Sequence, residues 1–222
     1  MKTYRYLDLL TVLSITFVLV SDVTAPRLIS VWGTAVSVTV LYFPCTYLLG
    51  DVLTEVYGHR AARRVAWWCL VASVISGCVY QGVLSIPSID PDGRQVAYGE
   101  VLGAVPRTLF GGWLALWSGM TLNNYVMAKL KVLTGGRHLW LRAMGSTIAG
   151  ELLNTAIFYL VALTGILTLP QLASAILIGS AIKIGVEGLM LPITYRVVAL
   201  LTELESAHDH WRSVATPGTA NL

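Results

Sequence analysis

Apolar residues in this chain fall into long blocks, separated by short polar or basic stretches. About 20 apolar residues carry a helix across a bilayer, and six blocks approach that length. They run near Leu7–Val23, Ile29–Gly50, Val65–Ile86, Thr108–Ala128 and Ala143–Leu167, with a last one from just after Pro170 to about Leu201. Backbone N–H and C=O groups cannot stay unpaired in hydrocarbon, so each block is expected to be a helix. The pattern predicts an all-α membrane protein: a domain of six transmembrane helices over residues 1–202, then a polar cytoplasmic tail over 203–222. Six spans divide into two sets of three, which would place the halves in opposite orientations, as in transporters built from a 3+3 inverted repeat. The long connection Pro87–Arg107 separates spans three and four. It begins with turn chemistry at Asp90-Pro-Asp-Gly and continues into a stretch that predicts a short external surface helix.

Composition supports the same class. The 222 residues are 55% hydrophobic and only 12% charged, and the mean hydropathy is +0.69. A soluble domain carries about 25% charged residues. The net charge of +3 does not signal a nucleic-acid partner, because the positive residues flank apolar spans. Membrane lipid is the expected surroundings, and a homodimer is left open. The first span contains Asp8 and Asp22 and lacks a small-residue cleavage site before a polar mature region, so it reads as retained. Cys45, Cys69 and Cys78 are odd in number and embedded in apolar runs, which suits small buried hydrophobes better than disulfides. No zinc-ligand spacing occurs, His208-Asp-His210 has no further ligand nearby, and neither metal nor cofactor is expected.

Basic residues set the orientation. Lys2, Arg5, Arg60, Arg63, Arg64, Lys129, Lys131, Arg137, Arg142, Arg196 and Arg212 fall on one side, eleven in all. Arg27, Arg94 and Arg107 fall on the other, and Lys183 lies within a span. By the positive-inside rule both termini of this multi-pass protein are expected to be cytoplasmic.

Against this background the polar residues within spans stand out, since ionisable groups at membrane depth usually face a cavity or a partner. Asp51 and Glu55 close the second span four residues apart, on one helix face. Asn123 and Asn124 lie toward the inner end of the fourth. Glu151, Asn154 and Thr155 share a face of the fifth, and Lys183 and Glu187 are paired by spacing near the middle of the long sixth. Lys183 and Glu187 could serve as a self-neutralising pair that holds packing or register, and Asn123 and Asn124 as interhelical hydrogen-bond glue. Contributions from several helices favour a ligand cavity. Phe43, Tyr47 and Trp117 are the aromatic residues nearest these groups and the better stacking candidates. Trp32, Trp67, Trp68, Trp113 and Trp140 read as interface anchors. Carboxylates and amides beside aromatic faces suit a flat heterocycle with several N–H donors, such as a guanine edge, although small cations would also be accepted. Pro192, five residues after Glu187, is expected to kink the sixth helix.

No catalytic residues are assigned, and the chain is not expected to be an enzyme. His59, His138, His208 and His210 lie outside the spans, and no nucleophile–base pair or H-E-x-x-H motif assembles. No G-x-x-x-x-G-K-[ST] loop is present either. The alternative of a substrate-binding subunit in an ATP-driven vitamin importer would therefore need separate ATPase subunits.

Several ordered motifs carry a resemblance. Phe43-Pro44, Asp51-Val-Leu-Thr-Glu55-Val-Tyr-Gly58 and Arg60 with Arg63-Arg64 are followed by Asn123-Asn-Tyr-Val-Met-Ala-Lys-Leu-Lys131. Gly145-Ser-Thr-Ile-Ala-Gly-Glu151, Lys183-Ile-Gly-Val-Glu187 and Pro192-Ile-Thr-Tyr195 complete the set. Together, and over nearly the whole chain from about residue 7 to 201, they resemble the queuosine precursor transporter family, also called the vitamin uptake transporter family. The resemblance implies an inner-membrane importer of 7-cyano-7-deazaguanine (preQ0) or its aminomethyl counterpart (preQ1), salvaged for queuosine modification of tRNA. The resemblance does not fix the energy source; a secondary transporter working by alternating access, with the long sixth helix as one mobile element, is the leading expectation. The resemblance also implies a substrate site among Asp51, Glu55, Asn123, Glu151, Asn154, Lys183 and Glu187, with Phe43 and Tyr47 beside them. Some members carry asparagine where Glu151 stands and aspartate where Asn154 stands, which leaves open which of the two accepts from the ligand. Whether Asp51 and Glu55 bind cargo or form an inner gate is also open.

The orientation is directly testable. Reporters fused to either terminus should be active only in the cytoplasm, and one inserted between Pro87 and Arg107 only outside; the reverse pattern at either terminus would overturn the assignment.

Overall fold

The computed structural model describes residues 4–87, 89, 95–135 and 139–215. The expected Asp90–Gly93 turn lies outside them. Seven α-helices and one β-hairpin make up the described chain: α1 (Leu7–Thr24), β1 (Leu28–Val31), β2 (Thr34–Ser37), a 3₁₀ turn (Val38–Leu41), α2 (Phe43–Tyr57), α3 (His59–Leu84), α4 (Gln95–Gly103), α5 (Val105–Leu133), α6 (Leu139–Leu163) and α7 (Leu169–Ala215). Among the described residues four helices are both long and apolar enough to cross a membrane, within α1, α3, α6 and α7. At 29 residues α5 spans about 43 Å, although its glycines, tryptophans and asparagines make it less apolar. A short helix does form at Gln95–Gly103.

The second apolar block departs from expectation. Instead of one helix over Ile29–Gly50, it folds as an antiparallel hairpin, a 3₁₀ turn and the 15-residue α2. The reason is local. Leu28-Ile-Ser-Val and Thr34-Ala-Val-Ser favour strands, and Trp32 and Gly33 between them both take positive φ, 48° and 77°. Two such residues build the tight turn whose twist matches a hairpin. Non-helical backbone is tolerated in a membrane protein where protein covers it, and the buried part of this segment is Val36, Ser37, Thr39 and Val40. Val36 and Ser37 are fully buried. The Ser37 amide donates to the Tyr159 hydroxyl, the Ser37 hydroxyl donates to the Ala25 carbonyl, and the Val38 amide donates to the Arg27 carbonyl. Pro44 then opens α2 within its first turn, where its missing N–H costs no hydrogen bond.

Two apolar clusters sit at opposite ends of the bundle. At one end Val36 and Val40 pack with Tyr159, Ala162, Leu163, Leu172 and Ala175, joining the hairpin to α6 and the start of α7. At the other, Leu10, Leu49, Val52, Leu53, Tyr57, Val65 and Cys69 join α1, α2 and α3, with Val197, Val198 and Leu201 of α7 against them. Cys69 is buried there, whereas Cys45 and Cys78 are exposed; all three are free thiols. Within this half the Ser73 hydroxyl donates to the Asp22 carboxylate at 2.6 Å, tying α3 to α1. Gly58, with φ 82° and ψ 162°, lets the chain turn sharply from α2 into α3.

The long helix α7 passes through Pro192 without ending and continues beyond Leu201 to Ala215. Its Glu205 is buried and accepts from the Arg5 and Tyr6 amides at 3.0 and 2.9 Å, and from the Tyr57 hydroxyl at 2.9 Å. The carboxylate thus satisfies free amides at the start of α1 while holding the last residue of α2.

Helices α5 and α6 run antiparallel in close contact, with glycines at the crossings. Gly111 meets Val161, Gly119 meets Gly150 and Asn154, Gly150 meets Asn123, and Gly145 meets Leu130. A Cβ on Gly119 would stand 2.9 Å from the Gly150 carbonyl oxygen, and one on Gly150 would stand 3.0 Å from that of Gly119. Small residues are what allow two backbones to approach this closely in a membrane. Gly119→Val or Gly150→Val should therefore lower stability by about 1–3 kcal/mol through overpacking. Gly112→Ala, which meets nothing within 4 Å, should be neutral. Thermal unfolding of the purified protein in detergent checks both.

Candidate functional site

The glycine crossing of α5 and α6 sets the site. Because Gly119 and Gly150 touch, Asn123 lies one helical turn along α5 against Gly150, and Asn154 lies one turn along α6 against Gly119. Glu151 stands next to Gly150 in sequence. The neighbouring helix α7 brings Lys183 to the same place through Gly179, whose missing side chain leaves room for the Tyr159 hydroxyl 3.0 Å from where a Cβ would sit.

At this junction Lys183 is 5% exposed. Its ammonium Nζ lies 3.7 Å from the Glu151 carboxylate, and it donates to Asn154 Oδ1 at 3.4 Å and to the fully buried Thr155 hydroxyl at 3.3 Å. The 3.7 Å contact is between charges and is longer than a hydrogen bond. It crosses from α7 to α6, so the lysine expected to pair by spacing with Glu187 is held by another helix. Asn123 Oδ1 is buried with no hydrogen-bond partner among the described residues. Such an acceptor normally has one.

Glu187, one turn beyond Lys183 on α7, feels the charges of both Glu151 and Asp51, and Asp51 feels that of Glu55. The packing of α2 against α7 therefore joins the acidic pair of the first half of the chain to the Lys183 cluster of the second. Asp51 and Glu55 have exposed side chains and Glu187 is half-buried. Phe43 and Tyr47 fall in the first two turns of α2, but their side chains lie outside the described set, as does that of Asn124. Trp117, another stacking candidate, is 69% exposed on the outer surface of α5.

Along α7 the polar layer lies between the two apolar clusters. Lys183 is about 12 Å past Ala175 and about 21 Å before Val197. This layer holds one ammonium, two carboxylates and two amides: Lys183, Glu151, Glu187, Asn123 and Asn154. No group of three or more metal-binding side chains occurs among the described residues.

Sequence reasoning missed three features that shape this site. The Gly119–Gly150 crossing is absent from the sequence reading, because spacing along one helix does not show which glycine of another it meets. Thr155 was placed on the right face without its role as a lysine partner. Glu205 was assigned to a solvated tail, yet the buried or packed positions Thr194, Val198 and Leu201 continue as one stripe to residue 205. That stripe was the available signal.

The sequence profile of the family described as "Putative vitamin uptake transporter" matches residues 37–197. The chain belongs to this family. The matched span begins at the last residue of β2 and takes in α2, α3, α4, α5, α6 and the Lys183–Glu187 segment, and so includes every residue of the cluster. A "Probable queuosine precursor transporter" of Bacillus subtilis (strain 168) is 29% identical over 170 residues, covering 76% of this chain and 74% of that protein. No solved structure matches the chain. The family is one of transporters and not of enzymes, and the apolar helices make this member a multi-pass membrane protein.

Removing one partner of a buried ion pair leaves the other charge uncompensated, which costs about 3–5 kcal/mol. Lys183→Met should therefore be strongly destabilising. Combining it with Glu151→Leu should restore a substantial part of the loss, giving a coupling energy of about 0.5–3 kcal/mol. Unfolding measurements on the two single variants and the double variant test this; strict additivity would contradict the pairing.

Proposed function

We propose that this protein imports queuosine precursors, 7-cyano-7-deazaguanine or 7-aminomethyl-7-deazaguanine, across the bacterial inner membrane into the cytoplasm. The observation that carries the reading is the buried Lys183–Glu151–Asn154–Asn123 cluster in a chain similar over three-quarters of its length to a probable queuosine precursor transporter. The chemistry is compatible with the cargo. A carboxylate accepts from the adjacent ring N–H and amino group of a guanine-like edge, and charge-assisted bonds of this kind are the strong ones. Glu151 and Glu187 are the acceptors, and Asn123 Oδ1 offers a further one. The Lys183 ammonium and the amide N–H groups of the asparagines are donors for the carbonyl oxygen of the base. Phe43 and Tyr47 stack on the heterocycle.

Movement follows a secondary, alternating-access cycle across six membrane passes, of which α2 with its preceding hairpin is one and α5 another. The two apolar clusters act as the gates. The hairpin with Tyr159 and Leu163 closes the outer side, and the α1–α2–α3 cluster with the end of α7 closes the cytoplasmic side, where both termini lie. Asp51 and Glu55 line the way between the cluster and the cytoplasm, as inner gate or as ligand contacts. Irregular backbone beside a midplane site is the usual construction of such carriers.

Hydrogen bonds to charged groups are worth about 1.5–3 kcal/mol, so loss of one acceptor should lower uptake at least about tenfold. Glu151→Gln, Glu187→Gln and Asp51→Asn are to be assayed in proteoliposomes, with the cyano, aminomethyl and free-base forms supplied at two pH values. The same variants are to be tested for restoring queuosine in cells that depend on an added precursor. Impaired uptake by the first two, at normal expression, is the expected result. Full rescue of queuosine formation by all three would reject the assignment.

A further inference from the structure

We propose that the basic end of α3 carries a binding site for an anionic phospholipid headgroup, formed by Arg60, Arg63 and Arg64 with Trp67 and Trp68. These residues and Val71 line a surface depression of about 460 Å³ along the helix. Arg60, Arg64, Trp67, Trp68 and Val71 follow one helical face, spaced by three or four residues or their multiples. All three arginines are exposed, and among the described residues none has a carboxylate within salt-bridge distance. Trp67 and Trp68 are 57% and 54% exposed, next to the apolar outer face formed by Val71, Val74 and Ile75.

The order along the helix is what selects the ligand. Guanidinium groups come first, then indoles, then aliphatic side chains, which matches phosphate, glycerol backbone and acyl chain in sequence. Tryptophan settles at the headgroup level of a bilayer, and arginine extends its head toward the interface. Arginine also grips phosphate oxygens with two parallel hydrogen bonds. A free phosphate would use the arginines alone and gain nothing from the tryptophans or Val71. Setting membrane orientation requires only that the charges be present, and does not require an aromatic pair beneath them on the same face. The site is separate from the Lys183 cluster and does not depend on what cargo is carried.

Each basic residue near a membrane surface contributes about fivefold to attraction for anionic lipid. The full chain is reconstituted into phosphatidylcholine vesicles containing a small fraction of brominated phosphatidylglycerol or, in parallel, brominated phosphatidylcholine. Quenching attributable to Trp67 and Trp68 is taken as the difference from the Trp67→Phe/Trp68→Phe variant. The expected result is several-fold stronger quenching by brominated phosphatidylglycerol, reduced toward equality in Arg60→Gln/Arg63→Gln/Arg64→Gln and unaffected by millimolar inorganic phosphate. Equal quenching by the two lipids in the unmodified chain would overturn the proposal without reference to any variant. So would displacement by inorganic phosphate, which marks a small-anion site, or absence of quenching because a second copy covers the face.

Discussion

The bundle is arranged around the cost of keeping the Lys183 charge away from water. An ammonium this deeply buried persists only with a counter-charge and hydrogen-bond acceptors in reach. Glu151, Asn154 and Thr155 supply them, all from α6. The relative position of α6 and α7 is thereby fixed at one level, because sliding either helix by a turn, about 5.4 Å, would separate the charges. Glu187, one turn further along α7, is half-buried beside the same layer.

The α5–α6 crossing extends the same constraint to a third helix. Gly119 and Gly150 bring two backbones together where any side chain would separate them. That closeness delivers Asn123 to the edge of the Glu151–Asn154 face. Without it, Asn123 would stand farther from that face. The electrostatic and steric requirements therefore act on the same pair of turns in α6, residues 150–155. A short segment of one helix carries both the contacts that assemble the site and the groups that define it.

Much of this was legible in the sequence, and the parts that were not have physical explanations. Charge and amide positions inside apolar blocks identify themselves because their burial is costly wherever they fall, so Glu151, Asn154, Lys183 and Glu187 were found without any fold. Partner choice was not legible. Helical spacing puts Lys183 beside Glu187 in the sequence, while the nearest counter-charge comes from another helix. The second apolar block misled for a related reason: hydropathy reports burial and cannot separate a helix from a covered hairpin when both are apolar. Val31-Trp-Gly-Thr34, with β-branched residues around a two-residue turn, held the signal that hydropathy averaged away. Glu205 was hidden by its neighbourhood, since a polar tail masks one residue that continues an inward stripe.

The stretch from Asp51 to Arg64 links these levels. Its first turn places two carboxylates at the end of α2 nearest the basic side, and Asp51 is electrically joined to Glu187 across the α2–α7 contact. Two residues beyond Glu55, Tyr57 is tied by Glu205 to the beginning of α1. Gly58 then reverses the chain into α3, whose first turns carry the arginines. Any displacement of α2 must break or carry along the Tyr57–Glu205 bond at its end. The polar layer and the basic end are coupled through one short helix, 15 residues long. Because the hairpin leaves α2 too short to span the bilayer alone, it is anchored at both ends by other elements and has little length over which to bend.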